Sequence, residues 1–339
     1  MNIFISFFID QLRGAAVMSN STNSSNIIKL TIDLKALDTA QNSFYGIFIV
    51  LGVPINLWFL VALLRSPEFQ ARLRNKLVSS LLVAQLLETG VIMSVYLIVK
   101  FVFRSRSFTP EMCSVMSLSR NLTIIQDFIA NWTVVLIVAV FLAQVNDFDL
   151  SHRLTPLALR IVGIGLPAIP WFVSLLLIPI ITKVEAIPKF FCVLAKKQSM
   201  VIFKSLDCIV PILAATVLLA VAAFQKRRRY AAGSGVMKSE LIGRGPQIDS
   251  VIPYVVIVST AIVFDSPNMT RFFGYPFENW NSRIIFVYVS HLLVNARSVV
   301  MPAILLLLPD VRERIKTWRP WYRPAQGIDL TVGYTTEQA

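Results

Sequence analysis

The chain has 339 residues, 55% of them hydrophobic and 15% charged, with a mean hydropathy of +0.67 and a formal net charge of +13. Soluble domains carry about 25% charged residues, so a soluble enzyme, a disordered chain and a secreted disulfide scaffold are excluded, and three cysteines allow at most one bridge. The apolar residues fall in blocks near the ~20 that cross ~30 Å of hydrocarbon, which makes this an integral membrane protein whose positive charge marks membrane-flanking loops and anionic lipid rather than nucleic acid.

The start, Met1–Ile9, is apolar but short, lacks a basic n-region and stops at Asp10, which makes a poor signal peptide; Met18 is an alternative start. Residues 19–42 are polar and hold two glycosylation acceptor patterns, at Asn20 and Asn23, as expected of a segment outside the cell. Asn121, Asn131 and Asn268 also stand in acceptor patterns, but at membrane depth. Seven spans follow: Ser43–Leu64, Leu77–Val99, Leu122–Val145, Ile161–Ile181, Val201–Phe224, Val251–Phe273 and Ile284–Leu307. The sixth is interrupted by Asp265, Ser266, Pro267 and Asn268. After the last span, Asp310–Trp318 sets Val311, Ile315 and Trp318 on one face and Arg312, Arg314 and Lys316 around it, the pattern of an amphipathic helix on the inner leaflet. Trp321–Ala339 is expected to be disordered. The expected fold is an all-α membrane protein: a seven-transmembrane helix bundle over 43–308, an extracellular segment over 1–42, and a cytoplasmic helix and tail over 309–339.

With the N-terminus outside, the inner loops and tail hold 17 basic residues against 11 on the outer side, and the densest cluster, Lys226–Arg229, abuts the fifth span. Positive-inside therefore favours an outside N-terminus and a cytoplasmic C-terminus. Cys113 and Cys192 then both face the oxidising side, where a bridge can join them and tie the second outer loop to the head of span three. Two unrelated thiols are the alternative. Cys208, inside span five, reads as a buried thiol. With two histidines and no metal-ligand spacing, no cofactor or metal is expected.

Seven spans, an outside N-terminus and cysteines at these two places resemble the rhodopsin-like family of G-protein-coupled receptors. Gly52-Val-Pro-Ile-Asn56-Leu in span one, Leu81-Leu-Val-Ala84-Gln85 in span two, Pro211 in span five, Phe264-Asp-Ser-Pro267 in span six, and Asn295, Pro302 and Pro309-Asp-Val-Arg-Glu-Arg at the end carry the resemblance over about residues 43–319. The family's Asp-Arg-Tyr after span three is replaced by Val145-Asn-Asp-Phe, its span-two Asp by Gln85, its span-seven Asn-Pro-x-x-Tyr by Met301-Pro-Ala-Ile-Leu305, and its span-six tryptophan is missing. Such departures resemble those of divergent invertebrate orphan or chemosensory receptors. Cys113 also lies farther from the inner end of span three than the family's cysteine, so either that span is longer or the staple is shifted.

Ionisable groups at membrane depth are costly and face the bundle interior. Asp127 and Asn131 share one helical face, expected to meet Gln85 and Glu88; Asp127 then supplies the carboxylate that Gln85 lacks, as an ion or proton site, or all four form a hydrogen-bonded knot between helices. Arg297 in span seven needs a carboxylate, with Asp265, Asp127 and Glu88 as candidates. Their pair is either a lock broken by ligand or a permanent structural contact. Asn56, Gln85, Glu88, Asn131, Asn295 and Arg297 are thus the expected buried polar or switch residues. The ligand pocket is expected between the outer halves of spans three, five, six and seven, lined by Arg120, Ile124, Asp127, Lys204, Asp207, Asp265, Asn268, Phe272, Tyr288 and His291. Its mixed charge suits a peptide or small polar molecule, and span seven has no lysine for a retinal Schiff base.

The resemblance implies a plasma-membrane receptor that binds an extracellular ligand and signals to a heterotrimeric G protein by rearranging its helices. A transporter or channel with a charged internal path and a non-signalling seven-pass receptor are the alternatives. An enzyme is not expected, since no nucleophile and base motifs pair.

Overall fold

The computed structural model describes residues 34–102, 110–146, 155–181, 183–187, 191–195, 205–231, 250–273 and 279–318. Helix α1 covers Leu34–Leu64, and one helical turn, Pro67–Gln70, leads to α2 (Leu73–Leu87). A π-helical turn, Glu88–Ile92, passes α2 into α3 (Met93–Val102). Helix α4 (Pro110–Val145) is followed by α5 (Pro156–Ile181) and a hairpin of β1 (Lys183–Ile187) and β2 (Phe191–Ala195). A second π turn, Ser205–Ile209, opens α6 (Val210–Ala231); α7 (Ile252–Phe273), α8 (Trp280–Leu305) and the short α9 (Pro309–Thr317) complete the described chain.

Five described segments are long and apolar enough to cross a membrane: Thr39–Leu64, Leu73–Val99, Ile125–Val145, Ser205–Arg229 and Asn281–Leu305. Two further helices carry shorter apolar stretches, Arg160–Leu176 in α5 and Ile252–Pro267 in α7. The chain is a helical membrane protein.

Several expected boundaries move. Helix α1 starts at Leu34 rather than Ser43, and α4 starts at Pro110, far ahead of Leu122, so Cys113 lies on the helix itself. Its 36 residues make it about 54 Å long at 1.5 Å per residue. Span three is therefore the longer one. The segment between α5 and α6, expected as loop, holds an antiparallel hairpin with Ala186 opposite Cys192, and β1 lies against α4. The side chains of Cys113 and Cys192 lie outside the described ones, as do Asn20 and Asn23 and all of Trp321–Ala339.

Helix α4 is the axis of the bundle, packed against α2, α5 and α6, and its membrane stretch is the most buried of the five. Helices α7 and α8 pair along their length, and α8 returns against α1. The core they enclose includes Phe59, Leu63, Leu77, Leu81, Ile137, Phe141, Tyr254, Met301 and Leu305. Helix α5 sits at the edge and exposes Ile161, Ile164, Phe172 and Leu176, as a lipid-facing surface should.

Prolines interrupt these helices without ending them, because other groups serve the carbonyls they strand. Pro267 cannot donate to the Val263 carbonyl; Ser266 Oγ donates to it at 3.3 Å, so α7 runs on through the break expected from the sequence. Pro302 likewise frees the Ser298 carbonyl, and Asn56 Nδ2 of α1 donates to it at 3.0 Å while also donating to Gly52 O at 2.8 Å. Asn56 thereby fastens α1 to the break in α8.

Just beside it, α1 meets the first π turn with no room to spare. A Cβ on Gly52 would stand 2.6 Å from Thr89 Cγ2 and 3.3 Å from Val299 Cγ2. Gly52→Val is expected to lose about 1–3 kcal/mol by overpacking, read as a lower unfolding midpoint in detergent. Gly46→Val, which has nothing within 4 Å, is expected to leave the midpoint unchanged.

The amphipathic α9 buries Val311 and Ile315 and exposes Arg312, Glu313 and Lys316. Arg314 Nε donates to Ala62 O of α1 at 3.2 Å, and Trp318 packs by Trp58 at 6.4 Å between ring centroids. One end of the bundle is thus tied down by a helix lying across it.

Candidate functional site: the buried polar core

In the middle of the bundle, α4 carries a row of polar side chains between the two π turns. The second π turn follows from Pro211, which has no N–H to offer Asp207, four residues back, or Leu206, five back. Both carbonyls turn to α4 instead. Asn131 Nδ2 donates to Asp207 O at 3.0 Å, and Trp132 Nε1 donates to Leu206 O at 3.1 Å.

The other end of the Asn131 amide faces α8. Arg297 Nη1 donates to Asn131 Oδ1 at 2.7 Å and to Asp265 Oδ2 of α7 at 2.7 Å. Arg297 and Asp265 are an ion pair with each side chain 2% exposed. One guanidinium nitrogen therefore joins α8 to α7 and α4, and through Asn131 to the start of α6. Of the three carboxylates expected as partners for Arg297, Asp265 takes it. Arg297 Nε and Nη2 have no hydrogen-bond partner among the described residues.

Asn131 does not meet Gln85 and Glu88 as expected. Gln126, five residues earlier and about 140° round the helix, takes that place and donates through Nε2 to Glu88 Oε2 at 2.8 Å. The reason is helical phase: α4 is rotated so that Gln126 faces the first π turn and Asn131 faces α6 and α8. Glu88 lies within electrostatic range of Asp127, Arg297 and Asp265. Its Oε1 and both amide atoms of the fully buried Gln85 have no hydrogen-bond partner among the described residues. Buried polar atoms left open by protein are where ordered water sits.

A second polar group links α8 to α1. Asn295 Nδ2 donates to Tyr45 OH at 3.1 Å and to His291 O at 2.6 Å, and Gln41 Nε2 donates to the same Tyr45 hydroxyl at 2.9 Å. Tyr45 packs edge-on against Tyr96 of α3, with centroids 5.2 Å apart.

Among the residues expected in a pocket, Asp127, Asp207, Asp265 and Tyr288 are buried and His291 is half-buried. Lys204 lies outside the described residues, and the side chains of Arg120, Ile124, Asn268 and Phe272 lie outside the described ones. Among the described residues no group of three His, Cys, Asp or Glu side chains is placed to hold a metal ion.

At the α9 end lies a cluster that the sequence did not flag. Arg74 of α2, its side chain 3% exposed, pairs with Asp310 of α9, which Arg72 also reaches at 3.5 Å. Arg74 Nη1 donates to Tyr254 OH of α7 at 3.0 Å, and the Tyr254 ring stacks on Phe141 of α4 with centroids 4.0 Å apart. In the sequence Arg74 is one of four basic residues in a short loop, and burial of only one of them leaves no mark there. Asp310→Asn removes the charge that both arginines share. It is expected to lower stability by about 1–3 kcal/mol, the range for leaving a buried charged donor without its acceptor, read as an earlier unfolding midpoint and faster amide exchange across Pro309–Thr317.

Compared with models of known protein families and with curated proteins, the chain matches none.

Proposed function

We propose that the chain is a seven-pass receptor of the plasma membrane, with its N-terminus outside and its C-terminus in the cytoplasm. Helices α5 and α7 cross the membrane along with the other five. An extracellular peptide or small polar molecule binds among the outer helix ends and shifts the packing of α7 and α8, and the opened inner end engages a heterotrimeric G protein. The resemblance to rhodopsin-like receptors supports this reading. So does the order of the helices, with a long central third helix and an amphipathic helix after the last.

The observation that carries it is the one-sided grip of Arg297. Through Nη1 it holds α7 and α4, while Nε and Nη2 are open among the described residues and Glu88 nearby keeps Oε1 open. A guanidinium with a spare edge and a second carboxylate within its field has two arrangements to choose from, which is what a two-state element requires. In this reading the Asp265 contact holds α7 in the resting position, and ligand favours its release.

The test is basal signalling. Cells expressing Asp265→Asn are expected to dissociate one class of heterotrimer without ligand, above the level of the unmodified receptor at equal surface expression. No dissociation of any G-protein class by this variant would contradict the coupling.

Burial of Glu88, Asp127, Asp207 and Asp265 favours one second reading, a transporter or channel whose charged groups line the path. That protein would show substrate-dependent flux or current with no G protein present.

A further inference from the structure

Three basic residues stand near the start of α2, and they do not share one task. Arg72 and Arg74 turn toward α9 and meet Asp310. Lys76 turns the other way, across the seam between α2 and α5. A Cβ placed on Gly163 of α5 would stand 2.9 Å from Lys76 Nζ. The lysine ammonium thus occupies room that a side chain at 163 would fill.

The seam itself is well defined. One turn deeper than Lys76, Ser80 Oγ donates to Pro167 O at 3.5 Å and accepts from Trp171 Nε1 at 3.0 Å. Gly163, Pro167 and Trp171 are four apart, so they form one face of α5 looking at Lys76 and Ser80. Arg160, three residues before Gly163, continues that face to the mouth of the seam and is exposed. Neither Lys76 nor Arg160 has a carboxylate partner among the described residues. Pro167 has no N–H for the Gly163 carbonyl, so the backbone under the lysine is polar as well. On the side of α5 next to Arg160, Ile164 and Leu175 are eleven residues apart, so they share one stripe, and both are exposed.

We propose that the mouth of the α2–α5 seam is a binding site for an anionic phospholipid, with the headgroup phosphate held between Lys76 Nζ and the Arg160 guanidinium. The acyl chains lie along Ile164 and Leu175. Two cations with no carboxylate partner among the described residues, aimed at one groove beside an apolar strip, complement a phosphate above two hydrocarbon chains. Snorkelling alone would send the Lys76 ammonium straight out to water, not across to the bare backbone of a neighbouring helix. Placing this lipid in the inner leaflet rests on the orientation proposed above; the site itself does not.

The test uses the full chain in nanodiscs, whose two leaflets have the same composition, so the result is independent of orientation. Discs of phosphatidylcholine alone are compared with discs containing phosphatidylserine or phosphatidylinositol bisphosphate, and the unfolding midpoint is followed. The unmodified protein is expected to unfold later as the anionic lipid content rises. A Lys76→Gln, Arg160→Gln double variant loses most of that gain, and Gly163→Leu, which fills the lysine's place, loses part of it. Arg227→Gln with Arg228→Gln, two exposed basic residues on α6, keeps the gain. Equal gains in the unmodified protein and the Lys76/Arg160 variant would overturn the site. So would a midpoint of the unmodified protein that is the same in phosphatidylcholine discs and in discs holding the anionic lipid. Failure of the receptor reading would instead show as tags on the wrong sides of the membrane, with these midpoints unaffected.

Discussion

Replacing Arg297 by methionine is expected to destabilise the protein by about 3–5 kcal/mol, the range for removing one partner of a buried ion pair. The loss is this large because Asp265, 1% exposed, is left as a charge with no water to turn to, and because Asn131 Oδ1 loses its donor at the same time. Asp265→Leu alone is expected to harm the protein by a comparable amount, stranding the guanidinium. Combining Asp265→Leu with Arg297→Met removes both charges and is expected to recover a large part of the loss, as apolar replacements of buried pairs do. Unfolding midpoints of the four proteins in one detergent measure this cycle. A double variant as unstable as the sum of the singles would mean that the two groups do not act as a pair.

Asn131→Ala is the second large effect. It removes the acceptor of Arg297 Nη1 and the donor to Asp207 O in one step, and Pro211 prevents the helix from serving that carbonyl itself. Each buried group left open costs about 1–3 kcal/mol, so a fall of roughly 2–4 kcal/mol is expected. Amide exchange should quicken at Ser205–Ile209, where the π turn loses one of its two supports from α4. Asn131→Asp keeps an acceptor for Arg297 but has no donor for the carbonyl. It is therefore expected to restore the Arg297 contact while exchange at the π turn remains fast. Unchanged exchange in both variants would show that Trp132 alone holds the turn.

The membrane character of the chain was legible in its sequence because apolar runs of ~20 residues have few other uses. So was the amphipathic helix after the last span, whose Val311 and Ile315 recur at helical spacing. Arg297 announced its need for a carboxylate, since a lone guanidinium at membrane depth is too costly to leave unpaired. Which carboxylate it takes was not readable. That depends on the rotation of α4, where each residue turns the face by about 100°. Gln126, and not Asn131, meets Glu88, while Asn131 reaches Arg297. No single-chain pattern fixes such a phase, because packing against α2, α5 and α6 sets it together.

The turns were hidden for a related reason. Pro211 and Pro267 each signal a broken ladder, but whether a helix ends or runs on depends on who serves the freed carbonyl. At Pro267 the helper is local, Ser266. At Pro211 and Pro302 it comes from another helix, Asn131 and Asn56, and only the fold brings it there. Arg74 shows the converse. Next to Arg72 and Lys76 it looks like one more surface charge, and its burial comes from Tyr254 and Asp310, which are distant in sequence.

A receptor of the proposed kind requires seven crossings with the N-terminus outside. Short epitope tags inserted one at a time at the N-terminus, within 147–154, 188–190, 232–249 and 274–278, and at the C-terminus, probed on intact and then permeabilised cells, measure this directly. The N-terminal, 188–190 and 274–278 tags should be reached on intact cells, and the 147–154, 232–249 and C-terminal tags only after permeabilisation. Tags flanking α5 or α7 that report the same side would show that this helix does not cross, and would contradict the seven-pass receptor.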